Sequence, residues 1–491
     1  MNKFYSLIIL LLLCLPTKAQ SRLDSLLYRL PLQPVSLWVR SQNPAALSGA
    51  TLPEYGVATA FANGSQGRFR RVQEAATDLQ AGLYAEGLRH LGGWSYYGDF
   101  SYGKRWQQEL GWAGTDNPLS GNPFTWADSL SGDWAKDFLE TNLQVSSPSL
   151  FGRLKAGIGI HYRIGQGARA LEPKPFFRSR DLALRPGLTY RLSEGKLLGA
   201  FAEVRYTFEE QEMGFYSREN ALVYRIRGAG TFTRTPLVNA ERQTNGSRQA
   251  TGIQYEAHWQ AKRLQLNAQV QQRREEVQEK AMQPLPAGTF KELAAEANAD
   301  FSLQGERHLL FANLRYTYTN GQGIDPVFFT ANALHSSQII SAVLGIAHGE
   351  IMNATPVWGL SLQPQIAQLL VEDRTARVSY DITSASATLK GHVRFQLFRY
   401  ATLTLQPEAG YNHVPAATFE AFRNNIIVRQ ITAPDYRVLS ASYWQSGLLT
   451  YLDVPVKTEQ RVRLSLGMQH LQPGSIQGSR SRWNSSISFY Y

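Results

Sequence analysis

Single apolar and polar residues alternate along most of this chain, from about residue 54 to the end. Over residues 152–164, Leu154, Ala156, Ile158, Ile160, Tyr162 and Ile164 fall on one face, and Arg153, Lys155, Gly157, Gly159, His161 and Arg163 on the other. A period of two belongs to a β-strand. One apolar and one basic face suit a strand with lipid outside and water inside. A soluble sandwich also alternates, but its strands average about 5–6 residues. The pattern recurs at 253–261, 264–270, 310–318 and 462–468. On this reading Ile158→Arg is costly, whereas Gly157 accepts a side chain unless the lumen is crowded.

Connections give a second signal. Tight junctions fall near 90–92, 147–151, 193–196, 262–263, 304–306 and 398–400. Long polar stretches fall near 114–136, 165–180, 210–247, 275–290, 320–336 and 413–438. Short and long alternate if strands start near 54, 78, 93, 137, 152, 181, 196, 248, 263, 291, 307, 337, 356, 378, 401, 438, 461 and 481. An all-β, antiparallel up-and-down transmembrane barrel of about eighteen strands follows, with sixteen or fourteen as alternatives. Its short turns and both termini lie in the periplasm and its long loops outside.

The closing strand sharpens the compartment. Trp483, Ile487, Phe489 and Tyr491 face one way and alternate with polar residues. A terminal aromatic after such alternation resembles the C-terminal assembly signal that barrel-assembly machinery reads on outer-membrane barrels. Trp94, Trp259, Trp358 and Tyr491 are expected at periplasmic strand ends on the lipid face, where aromatic side chains prefer the interface.

The first 19 residues read as a cleaved signal peptide. Lys3 precedes an apolar run, and Thr17 and Ala19 place small residues before a cleavage point at Gln20. The apolar run is too short for a membrane-spanning helix, which takes about 20 residues. Cys14 is the only cysteine; bulky Leu13 before it argues against a lipid-attachment site. Removal of the leader leaves no thiol, so strand closure rather than disulfides must supply stability. Residues 20–53, with Pro31, Pro34 and Pro44, do not alternate and are expected to form a short periplasmic or plug-like segment before a barrel over 54–491. Within it, Asn43-Pro44-Ala45 resembles the lead-in before strand one in several barrel families, fatty-acid channels among them, where it forms a small hatch.

The formal charge of +11 has a focus. Arg163, Arg185 and Arg205 fall on the inward face toward the extracellular ends of three consecutive strands. Arg153, Lys155 and Arg191 lie below them, and Lys390, His392 and Arg394 form another inward run. Such arginines tune a pore toward anions. The competing reading pairs them with Glu203, Glu256, Glu296 and Asp300 as cross-braces. A basic stretch over 218–248 is expected to meet lipid phosphates at the outer rim. No Gly-x-Ser-x-Gly elbow, His-Glu-x-x-His run or metal-ligand spacing of histidines occurs, so neither catalytic nor metal residues nor a cofactor are expected. Glu256 and His258 share an inward face and read as solvated wall rather than as a proton-transfer pair.

Several short motifs accompany this pattern: Trp94-Ser95-Tyr96-Tyr97-Gly98, Asn117-Pro118, Trp126-Ala127-Asp128 and the run from Leu184 to Tyr190. With them and the Ala19-Gln20 junction, the chain resembles a family of outer-membrane β-barrels from Bacteroidota that carries a domain-of-unknown-function label. The resemblance implies a fold and a compartment, and no activity. Three functions stay open: a passive or substrate-selective channel for small solutes; an anchor or assembly partner for a surface lipoprotein, uptake or secretion complex; and an enzyme, the least favoured. Expected partners are outer-membrane lipid, lipopolysaccharide and the barrel-assembly machinery, and no nucleic acid.

Overall fold

A computed structural model describes residues 42–49, 54–171, 173–214, 222–236, 239–280, 283–350, 355–397, 401–457 and 460–491. The signal peptide, most of the 20–53 segment and the junction at 398–400 lie outside the described residues.

The strands are β1 (Tyr55–Gly67), β2 (Thr77–Leu91), β3 (Trp94–Leu110), β4 (Thr125–Ala127), β5 (Gly132–Ser146), β6 (Leu154–Arg169), β7 (Phe176–Ser193), β8 (Lys196–Gly214), β9 (Leu222–Ile226), β10 (Phe232–Pro236) and β11 (Asn239–Trp259). They continue with β12 (Lys262–Lys280), β13 (Leu285–Gln304), β14 (His308–Ile324), β15 (Ala331–Glu350), β16 (Thr355–Asp373), β17 (Val378–Gln396), β18 (Thr402–Ala421), β19 (Tyr443–Lys457), β20 (Gln460–Pro473) and β21 (Arg480–Tyr490). Eighteen of them form one sheet in which each pairs antiparallel with the next. It closes where β1 meets β21, with Ala60 opposite Ile487 and Gly67 opposite Arg480. Closure leaves no open edge, which a bilayer does not tolerate. Eighteen is therefore the strand count, and sixteen and fourteen fall away.

Alternation sorts the faces as the pattern required. Ile158, Ile160, Tyr162 and Ile164 of β6 are exposed on the outside, while His161 between them is buried. Trp94, Trp259, Trp358 and Tyr491 are all outward and exposed at strand ends. A continuous apolar exterior of this kind is stable only against hydrocarbon.

Three stretches read as long loops are mostly strand. The turns after β6, β12 and β14 shrink to 170–175, 281–284 and 325–330. The reason is physical: above the bilayer the outer face no longer has to be apolar. Pairing continues in water through rows such as Glu276 opposite Asn245 and Thr289, and the polarity of those rows resembles a loop in sequence. The genuinely long connections are three: 111–131, 215–238 and 422–442.

Candidate functional site: a braced and capped lumen

The periplasmic mouth holds the Asn-Pro-Ala segment. Asn43 accepts the Ala45 N–H at its Oδ1 (3.1 Å), and Pro44 begins a 3₁₀ turn, Pro44–Gly49. The turn lies against the inner faces of β3, β5, β6 and β7. Asn43 Nδ2 donates to the Leu188 carbonyl (3.0 Å), and the Ser146 hydroxyl donates to the Ala45 carbonyl (3.1 Å). Asn43, Ala45 and Ala46 have no exposed surface. The close approach requires two wall glycines: a methyl at Gly157 would overlap the backbone of Ala45, and one at Gly187 the Asn43 side chain.

Midway up the wall, β7, β8 and β11 build a charge cluster around Glu203, whose side chain is fully buried. Arg185 pairs with it directly; Arg205 Nε is 3.1 Å and Arg248 Nε 3.2 Å from Oε1. Arg205 also reaches Asp181 at 2.9 Å, and His161 Nδ1 bonds Asn142 at 2.9 Å. Arg163 pairs with Asp116 of the 111–131 connection at 2.9 Å and stacks over Phe138. Lys390 faces Glu408 at 3.4 Å. Arg153 and Arg191 are exposed near the periplasmic rim, where the Arg191 N–H donates to the Arg153 carbonyl. Lys155 and Arg394 are half-buried and have partners of their own. The structure thus brings Arg185, Arg205 and Arg248 onto one acid and leaves Arg163 one layer higher with another. Glu256 meets His258, Arg263 (3.1 Å) and Gln265 (3.1 Å) in the wall. Among the described residues no group of three or more His, Asp or Glu side chains is arranged to hold a metal.

The extracellular mouth is covered by a feature that alternation does not show. The described residues of the three long connections fold together into a cap. β4, β9 and β10 make a three-stranded sheet in the order β10-β9-β4. A π-helical turn, Val428–Thr432, runs into helix α1, Ala433–Leu439. Trp112, Ala127, Tyr224, Ile226, Ile427 and Ile431 form a buried core, with Trp112 and Tyr224 rings 5.1 Å apart. Tyr436 of α1 packs on the inward Phe419 and Tyr380 of the wall, at 5.0 and 6.1 Å. Its apolar residues were the available clue: five of these six sit in stretches otherwise polar enough to read as plain loop.

Buried carboxylates fasten the cap. Asp373, at the end of β16, accepts the Gly230 (2.8 Å) and Thr231 (2.7 Å) N–H groups from the turn between β9 and β10. Asp325 after β14 holds Arg227 at 3.2 Å. Asp435 of α1 accepts Arg71 Nε (3.0 Å) and the Val72 N–H (2.7 Å). Asp128 holds Arg169 at 2.8 Å. Burial pushes the Asp128 and Asp435 carboxyls above their ordinary range, and the facing arginines pull them back. Four of the five described arginines of the basic stretch 218–248 are drawn into the structure as well, and Arg234 stays exposed. Arg225 and Arg242 meet Glu279, Arg227 meets Asp325, and Arg248 turns into the lumen. The expectation that the stretch faces lipid phosphates does not describe these four.

Three voids remain. One of about 390 Å³ lies between the cap and β15–β17. One of about 650 Å³ lies beneath the cap beside β1–β6. One of about 600 Å³ lies lower, reaching Phe311 near the periplasmic end of β14. The first two share Gln73, Pro118 and Leu119, and the last two share Arg482.

A closed barrel with a lipid-facing belt, a braced lumen and a folded cap defines the class: a membrane β-barrel. Residues 44–491 match the Family of unknown function (DUF6850), and the chain belongs to that family. No curated protein matches it. Solved structures similar to it include the Pseudomonas putida toluene transporter TodX (13% identity, 93% of each chain, TM-score 0.33). A Pseudomonas aeruginosa FadL homologue is also similar (10% identity, 97% of this chain and 98% of that one, TM-score 0.35). So is Pseudomonas aeruginosa OpdK with vanillate (10% identity, 89% and 98%, TM-score 0.39). At such identities these are likenesses of barrel architecture and carry no information on cargo.

Proposed function

We propose that this protein is an outer-membrane channel passing small solutes selectively, with the cap as its extracellular filter. The observation that supports this most is the succession of three adjoining voids from beneath the cap to near the periplasmic end. A barrel serving only as an anchor has no need of such a path. On this reading the braces around Glu203 keep the lumen rigid, and the Asn43 turn narrows the periplasmic exit. Arg153, Lys155, Arg163, Arg185, Arg191, Arg205, Lys390 and Arg394 then set the sign of the lumen potential that a solute meets. The test is reconstitution into planar bilayers. Discrete conductance steps are expected, and folded barrels without them overturn the reading.

One feature favours the alternative, a platform for a surface lipoprotein or an uptake or secretion complex. Between β14 and β15, Val327, Phe328 and Phe329 project at 62, 56 and 81% exposure. The outward residues just below them, Asn320 and Gln322, are polar, so this tip stands above the lipid. Val327→Ser with Phe329→Ser is expected to release a stably co-purifying partner while leaving conductance unchanged. Lipopolysaccharide remains a proposed partner of the exposed outer-rim arginines Arg178, Arg180 and Arg274.

A further inference from the structure

The void under the cap differs in chemistry from the lumen below it. The wall of β5–β8 is charged, but the inner face of β15–β17 near its extracellular end is not. Leu369 sits opposite Ser337 and Ile382, and Val371 opposite His335 and Tyr380. All of these point inward, where a water-filled channel would favour polar side chains. Leu369 and Val371 are only half-buried, as are Pro118 and Leu119 across from them, whereas Ile427 and Ile431 of the cap are buried. The cap therefore covers this apolar wall without filling the space in front of it.

The polar groups at the margin are already engaged. Gln73 Nε2 donates to the Trp112 carbonyl (2.8 Å), Asn122 Nδ2 donates to Glu275 (2.7 Å), and His335 lies 3.5 Å from Glu292. Thr432 donates its hydroxyl to the Ala229 carbonyl. Asp435 and Arg71 satisfy one another. What the void offers a visitor is apolar surface, in a volume of about 390 Å³, within the range of small-molecule sites.

We infer that this void is a binding site for a small uncharged apolar or weakly amphipathic molecule, held against Leu369, Val371 and Leu119 before it passes Pro118 into the polar lumen. The inference deepens the channel reading and rests on it. Sugars and ions, which need hydrogen-bonding partners that this wall lacks, are excluded from the site by desolvation.

The test uses the full barrel in lipid nanodiscs with methyl-labelled Ile, Leu and Val, titrated with n-hexanol and, separately, with arabinose. Leu369, Val371 and Ile431 methyl resonances are expected to shift saturably with hexanol and not with arabinose. The lipid-facing Ile366 should drift linearly as alcohol enters the bilayer. Leu369→Gln and Val371→Asn, checked for intact folding by heat-modifiable migration, should each weaken saturation by about tenfold, the loss expected for one buried aliphatic contact. Linear drift at Leu369 and Val371 matching that of Ile366, or unchanged affinity in both variants, overturns the site. Conductance of the same preparation judges the channel reading separately: a conducting barrel without saturable shifts sinks only the apolar site.

Discussion

At the scale of single residues, neighbours one position apart face different worlds. Ile158 lies in the lipid-facing row of β6, and Ile158→Arg is expected to cost about 2–4 kcal/mol at the bilayer midplane, read from urea refolding into vesicles. Gly157 faces inward, and alternation alone lets it accept a side chain. The lumen is crowded there: Ala45 occupies the space that a Cβ would take. Gly157→Leu is therefore expected to expel the Asn43 turn while leaving the barrel folded. Protease cleavage near residues 42–49 in the variant, absent from the parent, checks it. Glu203 carries a different load. Glu203→Gln leaves Arg185, Arg205 and Arg248 short of their shared counter-charge, an expected loss of about 3–5 kcal/mol for a broken buried pair. In a conducting barrel it also moves the reversal potential toward anions. Replacing Arg163, Arg185 and Arg205 together with Gln should move it the other way, most clearly at low salt. The inward placement of these arginines was legible because period-two patterning reports the face of a strand. Of their partners, Glu203 was legible as a cross-brace acid, but Asp116 was not, because it reaches Arg163 from the 111–131 connection and alternation says nothing about contacts across the lumen.

At the scale of elements, strand number and order were readable and strand length was not. The signal for a transmembrane strand is the contrast between its faces, and that contrast ends where the lipid ends, although β12 and β14 continue. The closing strand shows how the contrast serves assembly. Phe489 is on the outward row of β21, opposite Ala58 of β1 and Val462 of β20. Phe489→Asp is expected to abolish assembled protein in the outer-membrane fraction, and normal levels would remove the assembly role from this strand. The clamp at Asp373 makes a contrasting case. Asp373→Ala removes acceptors for the Gly230 and Thr231 N–H groups and for the Thr231 hydroxyl. Since those donors belong to the cap, the variant should assemble normally but show noisier or larger conductance steps than the parent.

At the scale of the whole molecule, two folded bodies share one chain: a barrel stabilised by complete pairing and a cap stabilised by its own core. The barrel is expected to resist detergent until boiled and so to migrate as a heat-modifiable band, because opening it exposes unpaired backbone groups all at once. The cap was the part least available from sequence, since its core draws on Trp112, Ile226 and Ile431, far apart in the chain. That same construction governs how the cell surface of this protein can diversify. Surface loops normally change independently, each free to drift under pressure from antibodies or phage. Here three of them form a single jointly specified body, so a change in one is tolerated only with matching changes in the other two. Antigenic drift and epitope insertions should therefore settle on short turn tips such as Val327, Phe328 and Phe329, which are exposed and lie outside that shared core.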